Sequence, residues 1–342
     1  MVLPGQAFSV LSSATNGTAI AVVQATDNVS VTNYAIVGGN TNGAFSIGSN
    51  GLLSVANNTG LATDTPYTLQ IQATDAANNT SATETVQVTT VQASSFHVAW
   101  TLPAANYVEA SVDIEVITEP TVNELYFWAL QASFNDGATD VAAGHTGLQY
   151  NPSHPNNRAV NWGGYSTATG TVLPGTTSTL PSTPNNDNTR DYQWQQGRTY
   201  RYRIFQSPTP NNPTAWRATI TDLTTMTETV IRDIYGGGTE LTNIIMWSEV
   251  FAACNDPQVQ VRWTNYQALT DTAQVVVPAT GVVSYQPVSQ GGCTNTSTTT
   301  DATGVLQTTN SVRINNTNDI INLPGTTSQL YPPDYNTTNP YG

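Results

Sequence analysis

Lysine is absent from this chain: all 9 basic residues are arginine. Charge of either sign is scarce, at 9% of residues against about 25% in ordinary globular proteins. The balance is acidic, with a formal net charge of -14 over 342 residues. A surface so poor in cations cannot make the phosphate contacts that drive nucleic-acid binding, and anionic lipid surfaces are excluded for the same reason. No apolar run approaches the roughly 18 residues that a membrane helix needs, and no N-terminal stretch joins a basic head to an apolar core, so a secreted form would have lost its leader. There are 2 cysteines, Cys254 and Cys293. In the cytosol they would be buried thiols. In a secreted chain an even count predicts one bridge, worth roughly 3 to 4 kcal/mol for a closed loop of about 40 residues.

What is present is Thr, Ser, Asn and Gln over a 38% hydrophobic background, enough apolar material for packed cores. Eight Asn-x-Ser/Thr sequons start at Asn16, Asn28, Asn57, Asn78, Asn79, Asn295, Asn315 and Asn336. They are glycosylation candidates wherever they lie on exposed loops of a secreted protein. In so Asn- and Thr-rich a chain several also arise by chance.

Residues 1–92 carry short alternating runs such as "AIAVVQATD", "NYAIVGG", "YTLQIQATD" and "ETVQVTTV", separated by turn clusters such as "GGNTNG" and "GSNG". Period-two alternation with β-branched residues predicts half-buried antiparallel strands, in the number that a β-sandwich requires. The stretches "VVQATDN", "YAIVGGNTNGAFSI", "GLLSVANNTGL" and "YTLQIQATDAANNTSATETVQV" resemble the cadherin-like repeats of prokaryotic surface proteins. That resemblance implies calcium ligands in the first loop, before the strand at Tyr67 and in the linker. Here only Asp27, Asp64 and Asp75 stand near those places. They are the calcium candidates. Calcium wants six to eight oxygens, so the plainer reading, as turn-capping aspartates, is favoured and no cofactor is required.

Residues 95–272 hold all 7 tryptophans and the arginines other than Arg313. Strand-like runs without a convincing helix predict a jelly-roll-type β-sandwich, with a surface excursion over residues 166–188. The motifs "YFWALQASF", "HTGLQYN", "AVNWGGY", "GRTYRYRI", "AWRATITDLTT" and "WSEVFAAC" resemble a family of secreted bacterial sandwiches that has no settled activity. Residues 273–342 read as a Thr/Asn-rich β/loop extension. The predicted fold class is therefore all-β, a cadherin/immunoglobulin-like sandwich, a larger jelly-roll sandwich and a tail.

For chemistry, Asp113 and Glu115 lie two apart on one predicted strand, followed by Glu119 and Glu124, and a solvated strand face is favoured over a pair of catalytic carboxylates. No metal-ligand spacing, nucleophile elbow or phosphate-binding glycine loop occurs. The chain is expected not to be an enzyme, and no catalytic residue is assigned. Arg158, Trp162, Tyr165 and Trp194 combine the residue types that stack on and hydrogen-bond to pyranose rings, and are the carbohydrate-binding candidates. The leading expectation is a structural subunit of an extracellular assembly, a head-to-tail homopolymer joined by strand addition, with "MVLPGQAFSV" or "SVRINNTNDIINL" as the donated segment. A glycan-binding adhesion protein at the cell surface is the alternative, and a carbohydrate-active enzyme is third.

Overall fold

The computed structural model describes residues 1–12, 14–62, 65–91, 93–182, 186–208 and 214–326. The chain is all-β and divides into two compact units, one of Met1–Ala93 with Phe251–Ala253 and one of Ser94–Val250 with Cys254–Gly342. No helix among the described residues is long and apolar enough to cross a membrane.

Among the described residues unit 1 has seven strands, β1 (Gln6–Leu11), β2 (Ala19–Val22), β3 (Val31–Gly38), β4 (Phe45–Ile47), β5 (Leu52–Val55), β6 (Pro66–Asp75) and β7 (Glu84–Val91). They form a four-stranded sheet, β1-β7-β6-β3, and a three-stranded sheet, β2-β5-β4. Strand β6 shows how the sequence dictates the layer. Tyr67, Leu69, Ile71 and Ala73 are buried, while Thr68 and Gln70 between them face water, as period two requires. The buried Tyr67 hydroxyl donates to the Gly60 carbonyl at 2.8 Å and accepts from the Ala62 N–H at 2.8 Å, so its polar end is satisfied inside the core. The segment expected as a strand donor at the start of the chain is an ordinary strand of its own unit: β1 pairs in parallel with β7 from Gln6↔Val86 to Leu11↔Val91.

Of the calcium candidates, Asp27 accepts from the Val29 and Ser30 N–H groups. Asp75 accepts from the Ala77 and Asn79 N–H groups and from Asn79 Nδ2. The Asn79 side chain is the main reason the Asp75 carboxyl sits below the usual range. Both aspartates cap turns. Asp64 lies outside the described residues.

Unit 2 contains β8 (Ser94–Thr101), β9 (Tyr107–Thr118), β10 (Tyr126–Asn135), β11 (Asp140–Tyr150), β12 (Arg158–Ser166), β13 (Thr189–Asp191), β14 (Thr199–Gln206), β15 (Ala215–Asp222), β16 (Thr227–Tyr235), β17 (Glu240–Val250), β18 (Gln260–Thr270), β19 (Val275–Val276), β20 (Thr280–Tyr285), β21 (Ser297–Thr300), β22 (Val305–Thr308) and β23 (Ile320–Asn322). One layer runs β13-β12-β11-β10-β17-β8-β20-β23. The other runs β16-β15-β14-β9-β18-β22-β21, and the two are continuous where β17 meets β9 at Leu241↔Tyr107. The layers pack through aromatic residues: the Phe134 ring of one stacks on the Trp216 ring of the other at 4.9 Å. The Tyr202 hydroxyl crosses the core to accept from the Leu148 N–H at 2.8 Å. Gln307 is a satisfied polar hub, accepting from Ser248 Oγ and Trp263 Nε1 and donating to the Phe96 carbonyl.

Residues 275–322, expected as a separate extension, are strands of this sandwich. The second proposed donor segment pairs at home as well, with Ile320–Asn322 on β20. Thr-rich "STTT" forms half of a hairpin with β22, because β-branched threonine suits a pleated strand even where it is polar. The remainder of the tail, 327–342, lies outside the described residues. The predicted excursion over 166–188 also returns to the body. Leu173 is buried and Gly175 bridges Ile234.

Candidate functional site

The predicted carbohydrate-binding tryptophans are core residues. Trp162 and Trp194 are both 0% exposed. Their indole N–H groups donate to the Trp216 and Gln149 carbonyls. Arg158 lies 4.6 Å over the Trp194 ring, donates to the Trp194 carbonyl and pairs with Glu119 at 2.6 Å. Of the four candidates only Tyr165 presents a substantial face to solvent, at 39% exposure. Alternation on β12 sends Trp162 into the core and Tyr165 out, after Gly163 and Gly164, and a buried ring cannot stack on a sugar.

Asp113 and Glu115 do share a face, but it is an ionic one. Arg201 grips Asp113 through two bonds of 2.6 and 2.9 Å, and Asn265 adds a third at 2.7 Å. Along the same face Arg203 pairs with Glu109 and Glu228, and Arg217 with Asp233. These carboxylates are committed to arginine forks. Among the sequons, Asn16, Asn28, Asn78 and Asn79 are exposed. Asn57, Asn79, Asn295 and Asn315 each donate through Nδ2 to a protein acceptor. Asn336 lies outside the described residues. Cys254 and Cys293 are bridged, with Cα atoms 5.5 Å apart.

A different cluster has the attributes of a site. On the face of β8, β17, β10 and β11 turned away from the core, pairing places side chains in three adjacent rows. The first is Gln149–Phe127–Glu249–Ser95. The second is Gly147–Ala129–Trp247–His97. The third is His145–Gln131–Ile245–Ala99. The intervening residues, such as Trp128 and Leu130, face the core. Phe127 and Trp247 form an edge-on pair at 4.9 Å, with the His145 ring 5.7 Å from Phe127 and 5.9 Å from Trp247, and the His97 ring 6.1 Å from Trp247. Small residues at Gly147 and Ala129 give the Phe127 ring room to lean toward Trp247 and His145. Gly147 admits no side chain, since a Cβ there would lie 1.9 Å from the Trp128 carbonyl oxygen.

The electrostatics of this face are unusual. Glu249 is half-buried, and among the described residues no hydrogen bond or cation reaches it. Desolvation alone pushes its carboxyl up to about 7, because burial disfavours the charged form. Burial also holds His97 and His145 down to about 4, so both imidazoles are neutral at physiological pH. Gln131 is half-buried and likewise unengaged among the described residues. Gln149 is 5% exposed, and its Oε1 accepts from Asn151 Nδ2 at 2.8 Å.

Gln149 and Glu249 lie two strand spacings apart across Phe127, or about 9 to 10 Å between backbones. Phe127 stands between them in the row, its ring against Trp247 and His145. The arrangement places an acid that titrates near neutrality opposite a carboxamide donor, the two components from which acid–base chemistry and oxyanion stabilisation are built. Sequence reasoning missed both residues. The signal lay in the parity of "YFWALQASF" and "IIMWSEVF": Phe127, Ala129 and Gln131 share one face of β10, Trp247 and Glu249 share the matching face of β17, and Gln131 and Glu249 set polar groups among aromatic and small residues there.

No protein-family model matches the chain, and no curated protein matches it. Among solved structures it is similar to scytalido-glutamic peptidase bound to a peptide-based transition state analog, with a TM-score of 0.35 and 13% identity over 64% of this chain and 98% of that one. It is similar to Drosophila N-cadherin EC1-3, with a TM-score of 0.25 and 13% identity over 68% and 64% of the two chains. It is also similar to lectin II from Ulex europaeus, with a TM-score of 0.25 and 12% identity over 68% and 91%. These likenesses concern the all-β fold alone. The expectation that the chain is not an enzyme is nonetheless corrected, because peptidases stand among the structures it is similar to.

Proposed function

We propose that unit 2 is a hydrolase of acyl bonds, with the peptide bond as its substrate class, acting outside the cell. Glu249 is the acid–base group and Gln149 the donor that holds the carbonyl oxygen. The observation that carries this reading is a half-buried carboxyl without a hydrogen-bond or cation partner among the described residues, set across an aromatic residue from a carboxamide in one row of the sheet. In its ionised form Glu249 takes a proton from water while the water oxygen bonds to the carbonyl carbon. The carbonyl oxygen gains the negative charge and accepts from Gln149 Nε2–H. When the tetrahedral species collapses, the proton returns from Glu249 to the leaving nitrogen as the C–N bond breaks. A group titrating near the working pH performs both steps best.

Glycoside hydrolysis fits less well. It needs two carboxyl groups about 5 to 9.5 Å apart. In the Glu249 row the other acid among the described residues is Asp191, which pairs with Ala159 and lies four strands away, or about 19 Å. An extracellular setting is supported by the disulfide and by the low charge.

The test is incubation of the purified chain with an unfolded protein substrate and, separately, with a polysaccharide panel, across pH 4 to 8. The expected result is new peptide N-termini from the parent, and a loss of at least about 10³-fold in Glu249→Gln. Cleavage that persists in Glu249→Gln would overturn the assignment. Polysaccharide binding without any turnover would favour the adhesion reading instead.

A further inference from the structure

We propose that Asn151 is a positioning residue that fixes which end of the Gln149 amide faces the substrate, an inference that rests on the reading of Gln149 as the carbonyl-holding donor. The argument is one of hydrogen-bond polarity. The Ser153 backbone N–H can only donate, and it donates to Asn151 Oδ1 at 3.0 Å. The other end of the Asn151 amide, Nδ2, can only donate, and it lies 2.8 Å from Gln149 Oε1. That oxygen is therefore pinned to Asn151, and Nε2 is the end left for a ligand. Among the described residues Gln149 Nε2 has no partner of its own, although the side chain is 5% exposed.

The turn that supplies this relay is itself anchored. The Asn151 N–H donates to the Asn157 carbonyl at 2.7 Å, and the His154 N–H to the Asn151 carbonyl at 3.0 Å. The buried His154 ring meets Asp191 at 2.6 Å. A carboxamide without such a relay is nearly indifferent to a 180° flip. Flipped, it would present Oε1 to a developing oxyanion, lone pair against negative charge. The chain Ser153 N–H to Asn151 to Gln149 removes that alternative before substrate arrives, which is preorganisation of the donor.

The variant Asn151→Asp keeps the shape and reverses the polarity. Its carboxylate still accepts from Ser153, but it then accepts from Gln149 Nε2 and turns Oε1 toward the site. In Asn151→Ser the hydroxyl still accepts and donates. Expected in the full chain are a fall in kcat of roughly 10²-fold in Asn151→Asp with KM within about threefold, and an inflection of the pH–rate profile that stays where the parent has it. Asn151→Ser should return most of the rate. Independently of turnover, the Gln149 side-chain amide signals in a 1H–15N spectrum should shift in Asn151→Asp and remain near their parent positions in Asn151→Ser. Parent chain without peptide cleavage would sink the reading of Glu249 but not this one, which the amide signals then decide. Gln149 signals unmoved in Asn151→Asp, or a kcat within twofold of the parent, would overturn it.

Discussion

Gln149 and Glu249 both pair with Phe127, one from each side, so a carboxamide and a carboxyl separated by 100 positions of sequence occupy one row of a single sheet face. Strand β10 holds them apart at a fixed span, while the Phe127 ring leans toward Trp247 and His145. The groups around Glu249 are neutral or apolar, and this sets how the protein responds to pH.

Glu249→Gln should stabilise the protein at alkaline pH. The carboxyl titrates near 7 in the folded chain against an ordinary 4.5. Between those values the folded state keeps a proton that the unfolded state has lost, so stability falls as pH rises through the window. The shift corresponds to about 3 kcal/mol at most, trimmed by partial exposure. Melting curves of parent and variant should coincide near pH 4 and diverge by pH 8. Curves that stay superimposed at both would show that Glu249 is not desolvated.

His97 and His145 act with the opposite sign. Each has a folded value of about 4 against 6.5, so the unfolded state binds protons that the folded state refuses. Stability is complete above pH 6.5 and is lost as pH falls toward 4. A double variant, His97→Gln with His145→Gln, should show a shallower decline in melting temperature over this range. An identical acid slope would refute the assignment of that slope to these imidazoles.

Arg201→Met should cost about 3 to 5 kcal/mol, because it strands the fully buried carboxylate of Asp113. Adding Asp113→Leu should recover much of the loss, since the penalty lies in the unpaired charge. Urea denaturation of the two variants measures this directly. A single variant within about 1 kcal/mol of the parent would mean that Asp113 takes up its proton or finds water.

Chelation should leave unit 1 unchanged. Asp27 and Asp75 already accept hydrogen bonds from their own turns, and a calcium site needs several more anionic oxygens. A melting temperature that drops by more than about 10 °C in chelator, or roughly 2 kcal/mol for a domain of this size, would show that metal holds these loops.

Alternation made the strands of unit 1 legible, and β6 buries the residues its pattern assigns to the core. In unit 2 residue type alone misleads over Trp162 and Trp194: parity on β12 sends the Trp162 ring inward, while Trp194 follows β13 and is buried beneath Arg158 with its indole N–H on the Gln149 carbonyl, which no strand pattern signals. The β21–β22 hairpin is hidden within what reads as a Thr/Asn-rich β/loop extension, because the polarity of "STTT" masks its β-branched fitness for a strand. The Glu249 site was invisible for another reason. Its members come from four strands spread over some 155 residues, and only pairing register, which no local motif encodes, brings Ser95, Phe127, Gln149 and Glu249 into line.

The parallel pairing of β1 with β7 has a mechanical meaning. Strands that run the same way at the two ends of a unit, with chain leaving the far end of one and reaching the near end of the other, are pulled past each other when the unit is stretched. The ladder from Gln6↔Val86 to Leu11↔Val91 is then loaded in shear, all rungs at once, where an antiparallel hairpin would open rung by rung like a zipper. Under tension unit 1 should therefore hold to a sharp yield force and then let go in a single step.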